Sequence, residues 1–263
     1  MARARSNPGE ALVEQSQTLL QWLEELPVDE WVQPSVLPGW DVRTLAGHLW
    51  QAHTDLLRAL SQPTRKRGLP LAELIRRCRS DAGTTAATTR SFAADTEPSA
   101  LLARLAEAVT SLTTVLQAPP EELPKVVDTA NGPASIADHF ALGVIELVVH
   151  SDDLSRSLPG REPVQLRRQA LAINSRTLAA LLAAQHPGRS IEVRVPPFAA
   201  VQCGIGDPGP THTRGTPPNV VETDAVTFLR LATGRITWPA ATAQGAVHAS
   251  GLRADLSAAL PLL

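Results

Sequence analysis

A glutamate and a histidine that lie four residues apart in this sequence could do chemistry together. Glu146 and His150 share one face of a helix, because 3.6 residues per turn brings side chains at this spacing next to each other. A carboxylate and an imidazole placed in this way can hold one divalent ion. The flanking residues Ile145 and 147–149 are apolar, which predicts that part of this helix is buried. Buried polar side chains need partners, and a metal ion would satisfy both; on a solvated helix the pair would be only a surface contact.

A second histidine could complete such a site. His48 lies in a segment where Leu45, Leu49 and Ala52 share its helix face, so its side chain is predicted to point into the protein interior. A lone histidine on an apolar face is more often a hydrogen-bonded core residue than a metal ligand. The residues around His48 therefore leave both interpretations open.

The helices that must position these side chains can be predicted from the spacing of apolar residues. Helical periodicity runs through six segments, which are about 9–26, 42–60, 69–94, 99–118, 134–158 and 163–186. Asp41 and Ser99 are expected to cap the second and fourth helices, and Pro163 is expected to open the sixth. The third helix is expected to be interrupted near Gly83. The segment 124–133 reads as a connection.

The sequence pattern changes after residue 188. Apolar residues alternate with polar ones over 191–195, which predicts a half-buried strand, and 201–205 is predicted to pair with it. A loop at 207–218, a short strand at Val220 and a helix capped by Asp224 follow, and a last helix is expected from Leu252. The predicted fold is therefore α plus α+β, with an N-terminal helical bundle over 1–187 and a small α+β domain over 188–263.

Composition excludes several functional classes. The 263 residues carry a net charge of −2, no tyrosine and four phenylalanines, which argues against a nucleic-acid partner. A membrane span needs about 18–20 uninterrupted apolar residues, and no stretch of the sequence approaches that length. The first ten residues lack the apolar core of a secretory signal. The two cysteines, Cys78 and Cys203, form neither a disulfide framework nor a zinc–thiolate pattern. We expect a soluble cytoplasmic protein, monomeric or homodimeric, whose partners are small molecules.

Three segments resemble one known family. Residues 37–43, LPGWDVR, followed by 47–49, GHL, are similar to the opening of the mycothiol-dependent maleylpyruvate isomerase family, which has DinB-like four-helix bundles. Residues 146–154, ELVVHSDDL, resemble the second family signature, Glu-x-x-x-His-x-x-Asp-Leu. Residues 221–235 are similar to the sterol-carrier-like domain that is appended to many members. The resemblance covers both predicted domains in the same order.

The resemblance implies a divalent metal, zinc by preference, held by His48, Glu146 and His150. Three protein ligands with one open position are typical of a catalytic site. The open position would take mycothiol, a low-molecular-weight thiol that reacts as the thiolate. Asp153 would orient the His150 imidazole through its other ring nitrogen, unless it is a surface carboxylate near the helix end. Arg235 would bind a substrate carboxylate, unless it is only a cation at a helix terminus.

The implied function is a metal- and mycothiol-dependent isomerase or S-transferase that acts on a small electrophile. Two alternatives remain open, which are a non-catalytic carrier of hydrophobic ligands and a metal hydrolase that needs no thiol. One departure bears on the substrate, since Gly143 stands where many relatives carry an arginine. His139 lies about 10 Å from Glu146 along the helix, too far to bind the same ion. His53, just over one helical turn from His48, is expected to be a partly exposed histidine, unless it contacts one of the metal ligands.

Overall fold

The computed structural model describes residues 7–119, 121–206 and 217–263, apart from the side chains of Asp81 and Ala82. The predicted loop at 207–218 therefore lies almost wholly outside the described residues. The described elements are α1 (Pro8–Glu24), α2 (Val42–Leu60), α3 (Leu71–Ala94), α4 (Pro98–Leu116), β1 (Val126–Thr129), β2 (Gly132–Ser135), α5 (Ile136–Ser157), α6 (Arg168–Gln185), β3 (Ile191–Val195), β4 (Ala199–Cys203), β5 (Val220–Thr223), α7 (Ala225–Ala232), α8 (Trp238–Ala243) and β6 (Val247–Ser250).

The described chain forms two compact units, of which the first ends at Ala170 and the second begins at Leu171. The sequence predicts a boundary after residue 187, whereas the structure groups most of α6 with the second unit. Helical periodicity identifies which residues of α6 are buried but not which neighbour buries them. The assignment of this helix to one unit therefore needed the tertiary structure.

The first unit is built on a helical bundle. Helices α1 and α2 each pack against both α4 and α5, and α3 lies along α2. The apolar stripes predicted from the sequence meet in its core, where the fully buried side chains include Leu12, Leu19, Leu23, Leu45, Leu49, Leu105, Leu112 and Leu147. The predicted cap of α2 is present, since Asp41 Oδ1 accepts a hydrogen bond from Thr44 N at 2.7 Å.

Several predicted boundaries differ from the structure. Helix α3 runs without interruption through Gly83, because an isolated glycine costs about 1 kcal/mol relative to alanine and does not by itself end a helix. Helix α4 begins at Pro98 with Glu97 at the cap, so Ser99 lies inside the helix. Helix α6 begins at Arg168, five residues after Pro163.

A β-hairpin occupies the segment that the sequence predicted as a simple connection. Strands β1 and β2 pair antiparallel, with Val126 opposite Ser135 and Thr129 opposite Gly132. Each strand has only four residues and the pair lacks a long alternating pattern, which explains why periodicity did not find it. The hairpin leads directly into α5, whose first turn is capped by Ser135.

The second unit contains a four-stranded sheet in the order β4-β3-β5-β6. Strand β3 pairs antiparallel with β4 and parallel with β5, and β6 pairs antiparallel with β5. Asp224 caps α7 as predicted, and Gly234 ends the helix with a φ of 71°. The helix expected from Leu252 is absent from these described residues, where only a 3-10 turn forms at Ser257–Ala259.

One described helix, α4, is long and apolar enough to cross a membrane when judged by length and composition alone. Core helices of globular proteins meet the same criterion. Leu101, Leu105 and Leu112 on this helix are buried, and the helix packs against α1 and α2. We therefore interpret α4 as a helix of the bundle.

Candidate metal centre

Helices α2 and α5 supply the candidate ligands. His48 lies in the second turn of α2, while Glu146 and His150 lie in the middle of α5. The start of α2 is fixed by the Asp41 cap and by a hydrogen bond from Arg43 N to Trp31 O at 2.9 Å. Because α2 and α5 pack against each other, His48 lies close to Glu146 and His150, although it is far from them in the sequence.

The three side chains predicted to bind a metal converge on one point. Oε2 of Glu146 lies 3.3 Å from Nε2 of His48 and 3.2 Å from Nε2 of His150. One potential ligand atom from each residue lies within 4.8 Å of the other two. Nitrogen and oxygen ligands about 2.0–2.1 Å from a tetrahedral zinc ion lie about 3.4 Å apart. The distances from Glu146 Oε2 to the two imidazole nitrogens therefore fit a small divalent ion.

The three candidate ligands differ in exposure. The side chains of His150 and His48 are 9% and 16% exposed, whereas that of Glu146 is 49% exposed. The apolar flanks predicted that part of α5 is buried, and Ile145 and residues 147–149 confirm this, whereas Glu146 lies on the open side of the helix. The site is thus walled by protein on the histidine side and accessible to small molecules at the carboxylate.

Asp153 holds the second nitrogen of one candidate ligand. Nδ1 of His150 donates a hydrogen bond to Asp153 Oδ2 at 3.0 Å, and the aspartate is completely buried. The alternative of a surface carboxylate is therefore wrong. A carboxylate on Nδ1 fixes the tautomer and ring orientation of an imidazole and leaves Nε2 for a metal.

His48 is held by aromatic contacts instead. Its ring lies 5.5 Å from the ring of Trp40 and 4.9 Å from that of His150, edge-on in both cases. Nδ1 of His48 is buried and makes no hydrogen bond with the described residues. Sequence reasoning recognised the Gly39-Trp40 motif but not this contact, because nothing in the local pattern shows where the indole points.

Electrostatics couple the three groups. Desolvation by the surrounding protein would raise the pKa of the Glu146 carboxyl, although half of its side chain is exposed. Hydrogen bonds from His150 and His48 outweigh this effect and hold that pKa well below its usual value. For His150, burial would lower the pKa, but the contacts with Asp153 and Glu146 raise it above the ordinary value. Without a metal, the charged imidazole is thus stabilised between two carboxylates.

Two other histidines of the bundle lie outside this convergence. Nε2 of His139 donates a hydrogen bond to Leu56 O at 3.4 Å. His139 was expected not to bind the same ion as Glu146, and it does not belong to the converging group. His53 is buried, contrary to the expectation of partial exposure. Its Nδ1 donates to Leu49 O and its Nε2 hydrogen-bonds the Ser16 hydroxyl, both at 2.7 Å.

A cavity of about 20 Å³ lies beside Glu146. Its lining is mostly apolar and consists of Leu12, Leu49, Ala52, His53, Leu56, Gly143, Glu146 and Leu147. A Cβ atom on Gly143 would lie 2.9 Å from Leu56 Cδ1 and 3.4 Å from Leu12 Cδ1. Methyl groups of the two leucines thus fill the space beside Gly143, and a longer side chain at this position would require them to shift.

Arg235, the predicted carboxylate-binding residue, belongs to the second unit. It follows Gly234 in the turn after α7, where its Nη1 donates to Thr233 O at 2.9 Å. Its backbone N also donates to Arg230 O at 2.7 Å, so the turn is well ordered. The role of Arg235 toward a substrate stays a prediction.

Comparison with known proteins places this bundle in a family. The family described as the mycothiol maleylpyruvate isomerase N-terminal domain matches residues 12–155, more than half of the chain. The chain belongs to this family. A second family, described as bacterial SCP ortholog, matches residues 167–262. A search of curated proteins found no match.

Solved structures of an isomerase have a fold similar to that of this chain. A crystal structure of the mycothiol-dependent maleylpyruvate isomerase matches with a TM-score of 0.58 and 15% identity, covering 92% of this chain and 91% of that chain. A histidine-to-alanine mutant of that isomerase matches with a TM-score of 0.57 and the same identity and coverage. The converging side chains lie within the segment matched to the isomerase family, and Arg235 lies within the SCP segment.

Proposed function

We propose that this protein is a metal-dependent, mycothiol-dependent isomerase that acts on a small electrophilic alkene. The observation that carries the proposal is the convergence of His48, Glu146 and His150 on one point, with the carboxylate exposed. Membership of the isomerase family supports the reaction class. A site of purely structural type would have a fourth protein ligand.

In this proposal His48, Glu146 and His150 bind the ion, and zinc is the preferred metal for two imidazoles and a carboxylate. A zinc ion in such a site keeps a thiol ionised at neutral pH. Asp153 orients His150, and the Trp40 ring packs edge-on against the His48 ring. The exposed side of Glu146 is where we expect the thiol and the substrate to approach.

The chemistry of the thiol suits a cis–trans isomerisation. Bound mycothiol would supply a thiolate that can add reversibly to an activated cis double bond, which would allow rotation about that bond before the thiolate leaves again. No atom is gained or lost, so the thiol is not consumed.

The related crystal structures are of an enzyme for maleylpyruvate, and we propose an activated cis-alkene of this general class as the substrate. The lining of the cavity beside Glu146 is mostly apolar on this chain, with Gly143 and four leucines among its residues. An uncharged substituent would suit this apolar side of the site better than a carboxylate.

The test uses the full chain, loaded with zinc and incubated with mycothiol and a panel of activated cis-alkenes that includes maleylpyruvate. We expect cis–trans conversion without net loss of thiol, dependent on both zinc and mycothiol. Stoichiometric consumption of thiol would instead indicate an S-transferase, and turnover without thiol would indicate a hydrolase. Metal binding with neither conversion nor thiol consumption would contradict the proposal.

A carrier of hydrophobic ligands is the second candidate, favoured by the match of residues 167–262 to the bacterial SCP family. The two functions differ in their dependence on the metal. Binding of a fluorescent fatty acid that is unchanged in the His48→Ala variant, together with no isomerisation by the zinc-loaded protein, would favour the carrier. The expected cytoplasmic location and the oligomeric state stay predictions.

A further inference from the structure

Arg156 lies close to the two buried carboxylates that follow His150 on α5. Its Nη1 is 3.6 Å from Asp153 Oδ1 and 4.0 Å from Asp152 Oδ2. The same Nη1 atom is buried and makes no hydrogen bond with the described residues, so its interaction with these carboxylates is one of charge. The arginine side chain is 32% exposed, whereas the side chain of Asp153 is 0% exposed.

The two oxygens of Asp153 have different neighbours. Oδ2 accepts the hydrogen bond from His150 Nδ1, and Oδ1 is the oxygen nearer to Arg156. A carboxylate that accepts a hydrogen bond at one oxygen and faces a cation at the other has less freedom to rotate. The orientation of the His150 imidazole is therefore linked to a cation one helical turn beyond Asp153.

Charge balance also favours a role for this arginine. Asp152 and Asp153 are adjacent and both are buried, so their carboxylates repel each other in a region of low dielectric constant. Removal of a nearby cation leaves buried negative charge less well compensated. Asp153 could then relieve the repulsion by turning toward another partner, which would release His150 Nδ1.

We propose that Arg156 is a positioning residue of the candidate metal centre, which acts through Asp153 to keep the His150 imidazole oriented with Nε2 toward the ion. The inference rests on the proposed function, because it requires that the chain binds a metal. It assigns to Arg156 no contact with metal, thiol or substrate.

A simple electrostatic effect predicts the opposite result. The positive guanidinium repels a divalent cation, so its removal would tighten metal binding if charge alone mattered. Positioning through Asp153 predicts weaker binding instead. The sign of the change in metal affinity thus separates the two explanations.

The test measures zinc affinity by competition with a chromophoric chelator, using the full chain. We expect Arg156→Met to weaken zinc binding about tenfold, the lower end of the range for residues that support a metal ligand. Arg156→Lys keeps the charge on a flexible stem and should recover part of the loss. Arg161→Met is the matched control, since Arg161 forms a partly buried ion pair with Glu30 and none with Asp153 within the described residues. It should bind zinc like the wild type.

A double-mutant cycle tests the route through Asp153. We expect Arg156→Met to change zinc affinity by less than about twofold when Asp153 is already Asn. Thermal unfolding of the metal-free variants shows separately whether each one folds, and Arg156→Lys preserves the test if Arg156→Met does not.

Three outcomes would overturn the inference. They are unchanged or tighter zinc binding by Arg156→Met, an undiminished effect in the Asp153→Asn background, or an equal loss in Arg161→Met. If the wild-type chain binds no metal, the proposed function and the inference both fail. If the wild-type chain binds zinc and one of these three outcomes is found, only the inference fails.

Discussion

Nδ1 of His150 and Oδ2 of Asp153 lie 3.0 Å apart in a fully buried contact within a single turn of α5. The aspartate thereby selects which ring nitrogen of the histidine faces Glu146 and His48. Local helix geometry is sufficient to make this contact, since the two residues are three apart. Burial by the rest of the bundle makes it strong, because water does not compete for either partner.

The first prediction concerns this contact. Asp153→Asn replaces a charged acceptor with an amide that can present either oxygen or nitrogen to His150, so the imidazole loses its fixed tautomer. We expect zinc affinity to fall by about 10–100-fold. Competition with a chelator measures the change. Asp55→Asn, on the exposed face of α2, is the control, and an equal loss in both variants would show that the effect is not specific to the contact.

The second prediction separates the histidines of the bundle. His48→Ala removes one of three proposed ligands and should lower zinc affinity more than about a hundredfold. His139→Ala should leave zinc affinity within about threefold of the wild type, because His139 contacts only a backbone carbonyl among its recorded hydrogen bonds. Metal analysis after dialysis against a chelator gives the stoichiometry. Retention of one zinc per chain by His48→Ala would rule out the proposed ligand set.

The third prediction concerns pH and His53. Burial lowers the pKa of His53 below 6.5, and the hydrogen bond to Leu49 O offsets this only in part. Between that lowered pKa and 6.5 the unfolded chain binds more protons than the folded chain, so the stability contributed by neutral His53 is present above pH 6.5 and lost as the pH falls.

Urea unfolding of the metal-free protein at pH 5 and pH 7 tests this prediction. The difference in free energy of unfolding between the two pH values should be smaller in His53→Gln than in the wild type, by about 1 kcal/mol for each unit by which the pKa is lowered. His139 has a lowered pKa for the same reason, so the dependence should decrease without disappearing. An identical pH dependence in both proteins would contradict the assignment.

The fourth prediction concerns backbone packing in the second unit. A Cβ atom on Gly188 would lie 2.6 Å from Gly204 Cα and 2.8 Å from Gly204 N, and backbone atoms cannot move aside cheaply. Gly188→Ala should therefore lower the free energy of unfolding by about 1–3 kcal/mol. Gly160→Ala is the matched control, because no heavy atom lies within 4 Å of its added Cβ. Equal stabilities of the two variants in thermal unfolding would show that the close approach is not important.

Local sequence patterns predicted most helices but not all their limits. The stripe on α2 and the cap at Asp41 were correct, because both depend on residues within one or two turns. The hairpin at 126–135 was missed and the break at Gly83 did not occur, since short strands give little periodicity and packing can hold a glycine in a helix.

The sequence by itself determined which side chains could bind a metal and how Glu146, His150 and Asp153 are spaced, because helix geometry relates residues within one turn. Only the tertiary structure brought His48 to within 3.3 Å of Glu146, across 98 residues of chain. It also decided that Asp153 is buried while Glu146 is open. These properties depend on which helix faces pack together, and packing of distant segments is not encoded in any local spacing.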